Sequence, residues 1–426
     1  MFWNAGAETL PRERLEPLTL ERMRASLTLV ADNPAWRRRL GDVEADDIKA
    51  VDDWRRLPFL TKDDLRDAYP FALACGRAAG YRRIQMSSGT TGNPILNPYT
   101  SGDVEQWGEV MARCYVAAGV RAADVIQITP SFGLFTGGFG FHYGAERLGA
   151  TVIPIGAGRT RLQLALMREL RATVLTAIAT YPLRLIEVAH EDGFDLRSLA
   201  LRVGILGSEM WTDELRARIE AALGIRTFDI VGMTETGGPG LGIDCEARAG
   251  IHVWEDHYHV EIVDPGTGEP VADGREGELI VSTLTREGLP LVRYRTHDLT
   301  RIVSREPCAC GRTALRIDRL RGRTDDMVIF KGVNFYPSQV EQILLRQTGL
   351  EHEYQIVVER DAGRGDRLIL CVEAGPAFDR AAETRLLREL GDRLNLTPEI
   401  RTMAVGEIPR PAGKAVRVVD RRAGRN

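Results

Sequence analysis

The chain has 426 residues, 44% hydrophobic and 27% charged, a balance that suits a globular protein of roughly two to four domains and argues against a disordered or membrane-embedded one. Its formal charge of −4, with arginines scattered among carboxylates, supplies no field for nucleic acid or an acidic membrane surface. Six cysteines do not make a disulfide scaffold in a chain this long, and with no basic leader and no apolar run near ~20 residues the expected location is cytoplasmic.

Residues 9–75 alternate helical patterns with short breaks. Thr9 and Pro11 open a helix that Pro17 is expected to break, a second pattern covers 18–29, and Thr61 is placed to cap an acid-rich helix start. Tyr81-Arg82-Arg83-Ile84-Gln85-Met86 reads as a strand, and it runs into Ser87-Ser88-Gly89-Thr90-Thr91-Gly92-Asn93. There the glycines free the backbone to aim N–H groups at an anion, and the hydroxyls can donate to phosphate oxygens. No Gly-Lys-Ser/Thr closes it, so it is not a Walker A loop, and for this stretch alone a polar surface turn is an equal reading.

A helix is expected over 102–118 and a buried strand ending in a turn over 125–130. The following stretch, Ser131 to Tyr143, interleaves glycines with five aromatics, a composition expected of neither a regular helix nor a strand interior. It suits the wall of a pocket for a planar apolar substrate, and equally a glycine-rich turn packed on core aromatics; His142 shares the ambiguity. Strand, loop and helix then repeat: 151–155 before a helix near 161–171, 174–179 before Tyr181-Pro182 and a helix, 201–206 before Gly207-Ser208-Glu209. This spacing predicts an α/β fold with mostly parallel sheets, whose ligands bind at the carboxyl ends of strands, where these loops fall.

From residue 227 a strand leads into Gly232-Met233-Thr234-Glu235-Thr236-Gly237-Gly238, and 251–305 become β-rich, suggesting a separate β subdomain. The polar segment Gly322-Arg323-Thr324-Asp325-Asp326 interrupts the pattern before a small α+β unit. The expected organisation is a large multi-subdomain N-terminal domain, 1–322, with a β-rich, zinc-bearing part at about 245–315, and a small C-terminal domain, 323–426. Cys245, His252, Cys308 and Cys310 form two local clusters and make a closed Cys3His set, the mark of structural zinc. Reduced cysteines with a surface histidine are the alternative. Cys75, Cys114 and Cys371 lie in apolar or helical contexts and read as core thiols.

Ser87-Ser88-Gly89-Thr90-Thr91-Gly92, Gly232-Met233-Thr234-Glu235, Tyr294-Arg295-Thr296-His297-Asp298, Gly322-Arg323-Thr324-Asp325-Asp326 and Gly413-Lys414-Ala415-Val416-Arg417 occur in this order. In this the chain resembles the adenylate-forming (ANL) superfamily, and in particular its phenylacetate-CoA ligase branch, from about residue 10 to 417. That branch carries the same Cys-His-Cys-Cys zinc set. The resemblance implies that a carboxylate attacks the α-phosphorus of ATP to give an acyl adenylate, from which coenzyme A then displaces AMP.

In this resemblance the loop Ser87, Ser88, Gly89, Thr90, Thr91 and Gly92 would hold phosphates, and Glu235, with Thr234 beside it, would ligate Mg2+. Gly207, Ser208, Glu209, Asp229, Gly232 and Met233 would serve the nucleotide site, Asp298 the ribose hydroxyls, and Arg323 the ribose or phosphate. Lys414 would stabilise the charge that gathers in the transition state, and the C-terminal domain would swing about Asp325, presenting the face around Gly332. Two departures stand out: Asn93 replaces the usual loop lysine, and Pro130-Ser131-Phe132 lacks the expected tyrosines. The wall, with candidates Phe132, Phe135, Gly138, Phe141, Tyr181 and Gly207, is therefore expected to suit an aryl acid without being tuned to phenylacetate. Competing readings are transfer of the acyl group to an amine or carrier-protein thiol, and a non-catalytic nucleotide-binding regulator. The expected partners are small molecules, an aromatic acid, ATP and coenzyme A, and a homodimer is compatible with the sequence.

Overall fold

Valine- and isoleucine-rich runs alternating with helices build the largest sheet. A computed structural model describes residues 1–76, 80–87, 94–324, 328–331, 333–361, 365–409 and 417–422. In chain order the first elements are α1 (Ala5–Glu8), α2 (Arg12–Ala31), α3 (Pro34–Leu40), α4 (Lys62–Asp67), β1 (Arg83–Met86), β2 (Leu96–Tyr99), α5 (Ser101–Ala117), β3 (Val125–Ile128), α6 (Gly137–Leu148), β4 (Thr151–Ile153), α7 (Thr160–Glu169), β5 (Val174–Ile178), α8 (Tyr181–Glu191), β6 (Val203–Gly207), α9 (Asp213–Leu223) and β7 (Arg226–Met233). There follow β8 (Gly238–Ile243), β9 (Ile251–Val253), β10 (Tyr258–Val263), β11 (Gly277–Thr283), β12 (Tyr294–Thr300), β13 (Ile302–Ser304) and β14 (Arg316–Ile317). The contacts divide the chain into two compact units, Met1–Ser208 with Ile219–Leu320, and Glu209–Arg218 with Arg321–Asn426.

In the first unit β4, β3, β5, β6 and β7 run parallel in that order, as the strand-loop-helix spacing predicts. The sheet does not stop there. β8, β9, β14 and β13 extend it antiparallel to nine strands, while β10, β11 and β12, themselves antiparallel neighbours, form a sheet apart from it, as does the β1/β2 hairpin. The expected β-rich part is thus divided between two sheets: β9, β13 and β14 join the main one, where β9 and β14 pair across more than sixty residues of sequence, which no local pattern reports.

Two helical expectations are corrected. Pro17 does not break the first helix, because α2 runs through it; so near the N-terminus proline removes one ladder hydrogen bond, and apolar packing by Leu15, Met23, Leu27 and Val30 offsets that loss. The glycine-aromatic run from 137 is regular helix, α6. A Cβ on Gly140 would come within 2.7 Å of the Trp107 ring and one on Gly144 within 2.4 Å of the Met111 Cβ. Close approach to α5 therefore offsets the ~1 kcal/mol that each helical glycine costs. A second core, built on Trp36, Trp54, Leu57, Leu60, Ile95 and Tyr294, joins the N-terminal helices to β12.

The second unit contains β15 (Gly322–Arg323), β16 (Val328–Phe330), β17 (Val333–Phe335), α10 (Pro337–Leu344), β18 (Leu350–Asp361), β19 (Gly365–Ala374), α11 (Arg380–Leu394), β20 (Glu399–Met403) and β21 (Val418–Asp420). Its four-stranded sheet has the order β20-β19-β18-β21, and Phe335, Ile343, Val358, Leu370, Leu386 and Leu390 pack together as its core. This is the α+β unit the sequence predicts.

Candidate active site and metal centre

The carboxyl ends of the parallel strands gather the candidate residues of the first unit. Pro130 to Phe132 follow β3, Tyr181 follows β5, Gly207 ends β6, and Gly232 and Met233 end β7. Backbone geometry sets two of these positions. A Cβ on Gly207 would lie 2.3 Å from the Ile230 carbonyl oxygen, so glycine is imposed by the neighbouring strand, and Ser208 takes a positive φ of 68°. Ser208 is exposed and Gly207 buried.

After β7 the chain turns sharply: the Gly237 N–H donates to the Thr234 carbonyl at 3.2 Å, and the Thr236 hydroxyl donates to the Met233 carbonyl at 3.1 Å. This places the Glu235 carboxylate 3.9 Å from the Lys62 ammonium, with the glutamate only 7% exposed. The Asn97 amide on β2 donates to the Thr234 carbonyl. Arg286 fixes that amide by donating to its oxygen at 2.7 Å, while its guanidinium lies 4.3 Å from the centre of the Tyr99 ring. The Ser87 N–H donates to the Ile95 carbonyl, and the Ile95 N–H donates to the Ser87 hydroxyl, both at 3.0 Å, closing the ends of the glycine-rich loop. Ser88, Gly89, Thr90, Thr91, Gly92 and Asn93 lie outside the described residues, as do Asp325, Gly332 and Lys414. The hairpin of β1 and β2 thus brings the base of the loop and the Glu235 turn together.

Asp298 is buried on β12, its N–H donating to the Thr296 hydroxyl at 3.0 Å, after His297 at a φ of 64°. Asp229 on β7 lies 3.4 Å from the Arg319 guanidinium, and its N–H donates to the Asp244 carboxylate at 2.8 Å. Glu209 and Arg323 belong to the second unit.

The aromatic wall differs from the expected one. Phe132 stands edge-on to Phe139 at 5.2 Å and to His142 at 6.1 Å between ring centres. Arg83 on β1 lies over Phe139 at 3.9 Å and over Tyr143 at 4.9 Å. Phe141 is removed from the wall: it is 4% exposed, in the main core, edge-on to Tyr115. Phe135 is 47% exposed. Gly138 packs tightly, since a Cβ would lie 2.7 Å from the Ser131 carbonyl oxygen. Tyr181 is half-buried, and its hydroxyl donates to Thr160 at 3.4 Å. The residues that composition missed, Phe139 and Tyr143, share with His142 one face of α6; helical spacing over 137–148 is the signal that separates them from Phe141, Gly144 and Ala145 on the other.

Cys245, His252, Cys308 and Cys310 converge, their ligand atoms all within 4.8 Å of one another. The Cys245 and Cys308 sulfurs are 3.9 Å apart, and His252 Nε2 lies 3.3 Å from Cys245 and 3.5 Å from Cys310. A tetrahedron with Zn–S of about 2.3 Å and Zn–N of about 2.0–2.1 Å has edges of this length. Pairing of β9 with β14, His252 opposite Arg316, brings the clusters together. Contact with Cys245 and His252 pulls the Cys310 thiol well below its ordinary range. Arg312, fully buried, donates to Cys310 Sγ at 3.7 Å and to the Glu8 carboxylate at 2.8 Å.

Residues 43–285 match the AMP-binding enzyme family, and residues 332–422 match the AMP-binding enzyme C-terminal domain. The phenylacetate-coenzyme A ligase of Thermus thermophilus is 39% identical over 99% of this chain and 100% of its own length, and that of Escherichia coli 40% identical over 97% of each. A crystal structure of 2-hydroxyisobutyryl-CoA ligase in the postadenylation state, in complex with R3-HIB-AMP, superposes with a TM-score of 0.91 at 26% identity, covering 99% of this chain and 92% of that one. Fold and site thus define an adenylate-forming enzyme. The chain belongs to the AMP-binding enzyme family, in its phenylacetate-CoA ligase branch, and is an AMP-forming acid-CoA ligase. It activates a carboxylic acid with ATP and then forms the coenzyme A thioester. No described helix is long and apolar enough to cross a membrane.

Proposed function

We propose that the acid is aromatic, an aryl or arylacetic acid. The observation that carries this reading is the edge-on set of Phe132, Phe139 and His142 at the carboxyl end of β3, flat apolar surface where a ring can lie. The relatives at 39–40% identity are phenylacetate-coenzyme A ligases, which supports the same class. ATP and coenzyme A as co-substrates suit a cytoplasmic enzyme.

In the proposed mechanism the acid's carboxylate oxygen attacks the α-phosphorus, the bond to the bridging oxygen breaks, and pyrophosphate leaves with the electron pair. No general base is needed, because the nucleophile is already an anion. The Ser87 to Gly92 loop holds the phosphates, Asp298 accepts from the ribose hydroxyls, and Gly207, Ser208 and Glu209, with Asp229, Gly232 and Met233, form the nucleotide site; Arg323 reaches ribose or phosphate. Glu235, a buried carboxylate beside Thr234, offers the hard oxygen that Mg2+ needs, and the ion would neutralise phosphate charge there. Lys414 supplies the charge that favours the transition state. The domain boundary lies at 322 and 323, and Asp325 is the hinge that withdraws Lys414 before the thiolate of coenzyme A attacks the acyl carbonyl and AMP departs. Cys245, His252, Cys308 and Cys310 would hold a zinc ion, which would act structurally by cross-linking the segments that carry them.

Pyrophosphate release over a panel of benzoates, hydroxybenzoates, aminobenzoates, arylacetates and short aliphatic acids, with and without coenzyme A, tests this reading. Aromatic acids are expected to lead by roughly tenfold or more in kcat/KM, with Phe132→Ala narrowing that margin. Lys414→Ala should lose pyrophosphate release yet still convert a supplied acyl adenylate to the thioester. Aliphatic acids turned over as well as aromatic ones would refute the assignment.

A further inference from the structure

Lys62 opens α4, and the contacts around it fix where it stands. The Thr61 N–H donates to the Asp64 carboxylate at 2.7 Å, the Asp64 N–H donates to the Thr61 hydroxyl at 3.2 Å, and Arg39 donates to the same carboxylate at 2.7 Å. One residue before the cap, the fully buried Leu60 is bonded to the β12 segment on both sides: its N–H donates to the Arg293 carbonyl at 3.0 Å and its carbonyl accepts from Arg295 at 2.8 Å. On this mount the ammonium lies 3.9 Å from the Glu235 carboxylate, too far for a hydrogen bond, with 34% of its side chain exposed. A loose, half-exposed pair of this kind contributes about 0–1 kcal/mol to stability, which does not account for so fixed a position.

The surroundings say what else the charge meets. Asn97 ties the β1/β2 hairpin, and with it the closed ends of the phosphate loop, to the Thr234 carbonyl beside Glu235. The loop itself carries Asn93 after its last glycine and contains no lysine. We propose that Lys62 is the phosphate-binding cation of this enzyme, its ammonium bonding the β- or γ-phosphate of ATP and supplying from α4 the charge that Asn93 does not supply from the loop. The inference rests on the nucleotide reading of the Glu235 turn given above. With Glu235 directed at a metal ion, the ammonium turns to phosphate oxygen, a charge-assisted bond made in the ground state and kept by the departing pyrophosphate.

Calorimetric binding of Mg-ATP and of AMP, without acid, tests the proposal on wild-type protein, Lys62→Ala, Lys62→Arg and the double variant Lys62→Ala/Asn93→Lys. Lys62→Ala is expected to weaken Mg-ATP on the order of tenfold to a hundredfold, the loss of one hydrogen bond to a charged group, while leaving AMP, which lacks the outer phosphates, unchanged. Lys62→Arg should keep most of the affinity, and Asn93→Lys should restore most of what Lys62→Ala loses. Unchanged Mg-ATP binding in Lys62→Ala, an equal loss of ATP and AMP, or a double variant with no recovery would each overturn the role of the lysine. Wild-type protein that binds neither nucleotide would overturn the reading of the whole site, and the lysine with it.

Discussion

Arg113 ties α5 to the turn between β9 and β10: it donates to both oxygens of Asp256, at 2.8 and 3.0 Å, and to Glu109 at 3.2 Å. His257 is enclosed beside this group, 2.8 Å from the Thr285 hydroxyl and 3.4 Å from Asp256, with Arg113 at 3.5 Å. Burial pushes its imidazole down to about 4; Asp256 and Glu109 pull it up, Arg113 and Arg22 push it further down. The folded state therefore binds fewer protons than the unfolded chain between the unfolded value near 6.5 and the folded one. Stability is full above that window and falls as pH drops through it, by up to ~1.4 kcal/mol per pH unit. The thermal midpoint is expected to fall from pH 7 to pH 5 with a shallower slope in His257→Gln, and equal slopes would show that this histidine does not control the decline. Lys62, by contrast, was not legible as a site residue. A lysine followed by two acids at a helix start reads as a solvated face, and only the pairing of Leu60 with the β12 segment places it at Glu235.

Among the elements, the knuckle between β13 and β14 has the clearest consequence. Arg312 links Cys310 to Glu8 and also donates to the Met1 carbonyl at 3.0 Å, so the Cys3His cluster and the N-terminal segment are mechanically coupled. Purified protein is expected to carry about one zinc per chain, and Cys308→Ser to lose it with a stability cost on the order of 3 kcal/mol and earlier proteolysis near the N-terminus. Metal-free protein whose unfolding midpoint ignores chelators would contradict the zinc assignment. The cysteine and histidine spacing made the four candidates readable because each cluster is local, and the structure adds that they converge. The parallel strands were readable for a related reason, since β-branched runs between glycine loops are local patterns. α6 was not readable: its glycines obey packing against Trp107 and Met111, residues of a different helix. The same error of periodicity put Phe141 on the wall when it faces Tyr115.

For the molecule as a whole, the two-step reaction divides labour along the chain. The residues proposed for the phosphate loop, the metal ion at Glu235, the ribose, the aromatic wall and the zinc set belong to the sequence of the first unit, whereas Lys414 belongs to that of the second. The proposed mechanism has Lys414 serve adenylation and then withdraw, which requires an acyl adenylate as the intermediate. That intermediate leaves an isotopic mark. With an aromatic acid labelled with oxygen-18 in its carboxylate, plus ATP and coenzyme A, mass spectrometry of the products follows the attacking oxygen. The mechanism predicts one labelled oxygen in AMP per turnover and none in pyrophosphate; unlabelled AMP, or label in orthophosphate released alongside ADP, would contradict it.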